Sequence, residues 1–144
     1  MSASPGRFGL IEARPGADEV IGEWEQMLGT ARCSVGAILT SLPEPPSSHE
    51  IEALLRSEQV LVDIEILFAP ELAVDPLALL RRLARISSPR LALWPGNLAA
   101  GRARFSEAQR EDHYDRAVDD VIILRPVSRA FPDEPCFEIE RWLN

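Results

Sequence analysis

Two carboxylates, Asp63 and Glu65, sit in the apolar run Gln59 to Phe68, which reads Gln-Val-Leu-Val-Asp-Ile-Glu-Ile-Leu-Phe. An acid at the end of a buried strand is placed to hold the Mg²⁺ of a nucleoside triphosphate. Residues i and i+2 of a strand share a face, so both acids are candidate ligands for one cation. A metal needs more ligands than two carboxylates, and the same residues also read as a buried strand that happens to end in acids. His113, beside an acid-rich run, is the acid or base that such a rim site would use. The run is too continuously apolar for a strand with one face in water. It predicts a strand buried on both faces of a parallel sheet, with its acids at the rim where α/β proteins place chemistry.

A phosphate-binding partner for those acids is sought near the start of the chain. Phe8 to Ala13 predicts a strand, Arg14-Pro15-Gly16-Ala17-Asp18 a turn, and Glu19 to Leu28 a helix with Ile21, Trp24 and Leu28 on one face and Asp18 as its N-cap. Strand, Gly turn and helix is the layout of a phosphate loop, but the chemistry is missing. With Gly16 as the inner Gly of a G-x-x-x-x-G-K-[ST] signature, Ala13 takes the first Gly, Asp18 the last Gly, Glu19 the Lys and Val20 the hydroxyl residue. Carboxylates at Asp18 and Glu19 repel phosphate where a helix N-terminus would otherwise attract it.

Composition reinforces that loss. All 15 basic residues are Arg, so the chain supplies no ammonium group for phosphate or for Schiff-base chemistry. A net charge of -8 opposes unaided binding to nucleic acid, although Arg81, Arg82 and Arg85 line one side of a predicted helix, with Arg102 and Arg104 further on. Those three Arg read either as a solvated face or as a contact patch for an acidic partner or for phosphates. Cys33 and Cys136 have no paired spacing, which argues against a disulfide framework or a zinc site. Neither a signal-peptide pattern nor an apolar run of membrane-spanning length is present, so the expectation is a cytoplasmic protein without membrane contact.

The remaining chain supplies the frame. Its 144 residues suit one domain spanning 1–144. Met1 to Arg7 reads as a loose start, Cys33 to Leu42 as a strand or a strand running into a short helix, and Glu50 to Arg56 as a helix capped by Ser48, with His49 facing solvent. Ala69 to Val74 reads as a rim loop. Asp75-Pro76 then opens a helix whose buried face is Leu77, Leu80, Leu83 and Ala84, and Ser87-Ser88-Pro89 breaks it. Arg90 to Trp94 predicts a buried strand ending at Pro95-Gly96-Asn97, where Asn97 is either a γ-phosphate sensor or part of a plain turn. Gly101 to Asp119 reads as a polar excursion over the rim with Phe105 and Tyr114 as isolated anchors. Val121 to Leu124 is the last core strand, and Phe137 to Leu143 a terminal element docked by Phe137, Ile139, Trp142 and Leu143. The alternation predicts a three-layer α/β fold with a mostly parallel sheet.

These residues resemble the small P-loop proteins of bacteriophage-exclusion (BREX) systems, the BrxF family. The likeness is strongest from Val62 to Tyr114: Ile64-Glu65-Ile66-Leu67-Phe68, Pro70-Glu71-Leu72, Asp75-Pro76-Leu77 into Leu-Leu-Arg-Arg-Leu, Trp94-Pro95-Gly96, Gly101-Arg102, and Phe105-Ser106-Glu107 ahead of Tyr114. The resemblance implies a P-loop NTPase-like, reduced AAA-type fold working beside larger defence proteins. It also sharpens the losses. The family's Lys and Thr are replaced by Glu19 and Val20, and its Asp-Asn-Ile-Glu puts the metal-holding Asp on Val62, leaving Glu65 as the one acid in register.

The expectation is therefore an inactive P-loop domain without cofactor, serving as a structural or regulatory subunit of an antiphage complex. Its partners would be other subunits, such as a larger ATPase or nuclease, or copies of itself. The alternative is a nucleotide- or metal-binding accessory protein that uses Asp63 and Glu65 at the rim.

Overall fold

In the computed structural model, residues 8–86, 90–106, 109–118, 121–127, 131 and 133–141 are described. Met1 to Arg7, the break at Ser87-Ser88-Pro89, and Trp142 and Leu143 lie outside them.

The chain opens with β1 (Gly9–Glu12) and α1 (Ala17–Leu28), then β2 (Cys33–Ser34) running directly into α2 (Val35–Thr40). α3 (Ser48–Leu55), β3 (Val60–Val62), α4 (Pro76–Ile86) and β4 (Leu91–Trp94) complete the first half. β5 (Asn97–Ala99), β6 (Arg102–Phe105) and β7 (Tyr114–Ala117) form a separate antiparallel sheet, followed by β8 (Ile122–Pro126) and β9 (Phe137–Arg141).

The main sheet has six strands in the order β2-β3-β4-β1-β8-β9, parallel except for β9. Strand alternation divides its side chains between two faces. Leu10, Leu61, Ala92 and Ile123 join Val35, Leu39, Ile51, Leu55, Leu77, Leu80 and Leu83, so α2, α3 and α4 cover one face. Ile11, Val60, Val62, Leu91 and Leu124 join Val20 and Ile21, so α1 covers the other. The result is an α/β fold of three layers. Burial on both faces is why these strands read as continuous apolar runs.

Several boundaries differ from the sequence reading. The run Gln59 to Phe68 is strand only over Val60–Val62; Asp63 turns into the left-handed region at φ 53°, and Ile64–Phe68 forms a 3-10 turn. A second 3-10 turn, Pro70–Leu72, occupies the predicted rim loop. Ile64, Leu67 and Phe68 are still buried, because the tighter winding packs them against α2 and β4 instead of extending the strand. α1 is capped by Gly16 and not by Asp18, which lies within the first turn. α3 is capped by Ser47 and not Ser48: Ser47 accepts from the Glu50 N–H and Glu50 accepts from the Ser47 N–H, a reciprocal box. Asp75 caps α4 as expected, accepting from the Ala78 N–H at 3.3 Å.

The expected excursion over the rim is the second sheet. Its first hairpin turns on Ala100 and Gly101, both with positive φ as a type I′ turn requires. Phe105 and Tyr114 are not isolated anchors. Phe68 stacks on Phe105 at 4.2 Å between centroids and meets Trp94 and Tyr114 edge-on at 5.3 Å each, docking the small sheet on the core. Trp94 Nε1 completes the join by donating to the Arg104 carbonyl at 2.9 Å. Gly96 lets the two backbones meet there, since a Cβ on it would lie 1.9 Å from the Arg104 carbonyl oxygen. No helix among the described residues is long and apolar enough to cross a membrane.

Candidate functional site at the carboxyl rim

Parallel strands ending at one rim leave a crevice beyond their carboxyl ends. Here it is an open cleft of about 430 Å³ lined by Ala13, Arg14, Ala17, Asp18, Ile21, Arg32, Val62, Asp63 and Leu93. The sequence-predicted loop and the central-strand acid therefore do meet: the end of β1, the start of α1 and the end of β3 face one space.

The loop between β1 and α1 is a tight turn. Ala17 N–H bonds to the Arg14 carbonyl at 3.0 Å, with Pro15 second and Gly16 third at φ 95° and ψ -18°, which defines a type II turn. Gly16 is required twice over, by its positive φ and because a Cβ there would lie 2.8 Å from Pro126 Cβ. Ala17 N–H is thus spent on the turn, and Val20 N–H on the Gly16 carbonyl.

Charge in the cleft is already matched within the chain. Arg32 bonds the exposed Asp18 and also Glu25, with its Nη2 2.8 Å from Oε1 and its backbone N–H 2.7 Å from Oε2. Those bonds hold the Glu25 carboxyl below the usual carboxylate range and push the Arg32 guanidinium further up. Glu19 and Val20 point elsewhere: Glu19 is exposed, while Val20 is fully buried under the sheet and serves packing.

Asp63 stands at the rim, as expected, but its role is local. Its Oδ2 accepts from Ser34 Oγ at 2.6 Å, Ser34 Oγ in turn caps α2 by accepting from Ala37 N–H, and the Asp63 carbonyl accepts from Gly36 N–H at 3.0 Å. Glu65 lies beyond it on the 3-10 turn, exposed and outside the cleft, so the two acids do not share a strand face. Among the described residues, no group of three or more His, Cys, Asp or Glu is placed to hold a metal. His113 lines a different, smaller pocket with Phe68, Asp75, Asp112, Tyr114 and Arg116. His49 and Asn97 are exposed and stand outside the cleft.

Of the Arg row on α4, Arg82 pairs with Glu52 of α3 at 2.7 Å, Arg81 is half-buried and Arg85 is exposed. Arg102 and Arg104 share Asp115 as a partner, at 2.6 and 3.4 Å.

Glu12, which carried no role in the sequence reading, is the one buried acid among the described residues. Its carboxylate accepts from Leu98 N–H at 2.7 Å, pairs with Arg14, and lies 3.8 Å from Arg125, which itself donates to the Leu98 carbonyl at 2.7 Å. The available signal was an acid closing an apolar strand with Arg two residues on. No family model matches the chain, and no curated protein or solved structure matches it either.

Proposed function

We propose that this domain is a pseudo-NTPase: a reduced, AAA-type P-loop fold that carries no catalysis and no cofactor, and serves as a structural or regulatory protein-binding subunit of a cytoplasmic antiphage assembly. The pairing of Asp18 with Arg32 carries the reading. At the place where a phosphate loop would present backbone N–H groups and a Lys, the chain presents a carboxylate already bonded to its own guanidinium.

Two further observations support it. The cleft gathers the ends of β1 and β3 with the first turn of α1, the frame a phosphate loop and a metal-holding acid would share. Asp63 is committed to Ser34 and to the start of α2, which accounts for a rim acid without any metal. The antiphage setting rests on the resemblance of Val62 to Tyr114 to the BrxF family. A domain kept without chemistry is kept for its contacts, here with a larger ATPase or nuclease subunit or with copies of itself.

The test is calorimetric titration of the purified protein with ATP and with ADP in the presence of Mg²⁺. No heat of binding is the expected result. Micromolar affinity or magnesium-dependent hydrolysis overturns the reading.

A further inference from the structure

We propose that the outer edge of β9 receives an extended basic segment of a partner protein as an added strand. The inference rests on the protein-binding reading above and names its surface. In the six-stranded order β9 is terminal, and among the described residues it pairs with β8 alone. A strand in that position presents a row of main-chain donors and acceptors that a further strand can take up. With five residues, Phe137–Arg141, it offers a longer ladder than β2 at the opposite edge, which has two.

The hairpin that carries β9 is also where apolar surface is left uncovered. Ile139 is 56% exposed, Phe131 64% and Val127 36%, so three of the six large exposed apolar residues among the described ones fall within it. Phe137, by contrast, is half-buried, meets Trp24 at 6.5 Å between ring centroids and packs against the core. The expected docking of the terminal element is thus borne out for Phe137 and corrected for Ile139.

Charge selects the occupant. From Phe131 to Arg141, the end of β9, the chain carries four acids, Asp133, Glu134, Glu138 and Glu140, against one basic residue, Arg141. A second copy pairing antiparallel about Ile139 would set position 138 opposite 140 twice, acid against acid, and like charges directly opposite destabilise a ladder. A strand that alternates Arg or Lys with apolar residues meets both the acids and Ile139.

The experiment titrates the full chain with the acetylated, amidated heptapeptide Thr-Arg-Val-Arg-Val-Arg-Thr by calorimetry and follows amide hydrogen exchange with and without it. Saturable binding with slowed exchange across 137–141 is expected. Replacing the peptide's Arg by Glu, or its two Val by Pro, should weaken binding about tenfold or more, and Glu138→Arg should reverse the charge preference. No binding, binding without protection of 137–141, or equal binding of the acidic or Pro-containing peptide overturns the proposal. Self-association with protection of 137–141 overturns it in favour of a second copy. The ATP titration on the same sample separates the two levels: a silent peptide beside silent ATP removes only this surface, whereas ATP binding removes the reading it rests on.

Discussion

Arg32 closes on Asp18 across the mouth of the cleft, so the first turn of α1 meets its counter-charge within its own chain. Both side chains retain contact with water, and exposed pairs of this kind contribute little. Arg32→Ala should therefore lower stability by only about 1 kcal/mol, read from the urea midpoint, and should leave the ATP titration silent. A gain of ATP binding in this variant would show that Arg32 masks a competent site.

Three glycines give a graded series. Gly96→Ala should disrupt the junction between the sheets, since backbone at 1.9 Å cannot move aside as a side chain can. Gly16→Ala combines a strained φ with contact against Pro126 and should cost about 1–3 kcal/mol. Gly22→Ala, inside α1 with nothing within 4 Å of its added Cβ, should stabilise by about 0.5–1 kcal/mol. Thermal melts of the three variants check the order.

Tyr114 is the sole tyrosine, so phenolate absorbance reads one group. Burial first, and then its hydrogen bond to Asp75, push its hydroxyl well above the ordinary value of 10.0. A raised pKa means that the folded state holds the proton longer. Its contribution is complete below pH 10.0 and falls as pH rises further. Phenolate should appear together with loss of structure by circular dichroism; titration of the intact fold near pH 10.0 would contradict this placement.

At the acid end the sign reverses. Bonds to Arg32 lower Glu25, bonds to the Ser47 N–H lower Glu50, and bonds to Ser106 and Arg102 lower Asp112 and Asp115. Each group is depressed below its ordinary 4.5 for Glu or 3.8 for Asp, so its stabilisation is complete above those values and lost as pH falls through the folded ones. Urea midpoints should be level from pH 7 to 5 and decline below about pH 4.5, and Glu25→Gln should soften the decline.

Arg90 is 2% exposed and gives its guanidinium to the carbonyls of Leu55, Arg56 and Glu58, closing the C-terminus of α3. Burial lowers its pKa, yet the three acceptors explain why a cation is tolerated there. Arg90→Met strands those carbonyls and should cost about 2–4 kcal/mol by chemical denaturation, far more than Arg85→Met on the exposed side of α4.

Local chemistry made much of this protein legible from its residues. Pro15-Gly16 specified the turn into α1, Asp75-Pro76 started α4, and continuous apolar runs identified the buried parallel strands. The absence of Lys, with Asp18 and Glu19 at the head of α1, excluded the cation of a phosphate loop before any fold was known. The end of β3 was not legible, because an apolar run serves a strand and a buried 3-10 turn equally well, and packing against α2 and β4 chose between them at Asp63. Nor was the second sheet: Phe105 and Tyr114 look solitary until the fold brings Phe68 and Trp94 against them.

Composition and short-range pattern thus determined the α/β class, the main helices and the absence of an intact phosphate-loop signature, all of which depend on neighbours in sequence. Tertiary structure alone decided that Arg32 reaches Asp18 and that Glu12 meets Arg125 and Leu98. It also decided that β9 ends the sheet with an edge unpaired among the described residues. Those contacts join residues far apart along the chain, and their geometry is set by strand order, which no local spacing encodes.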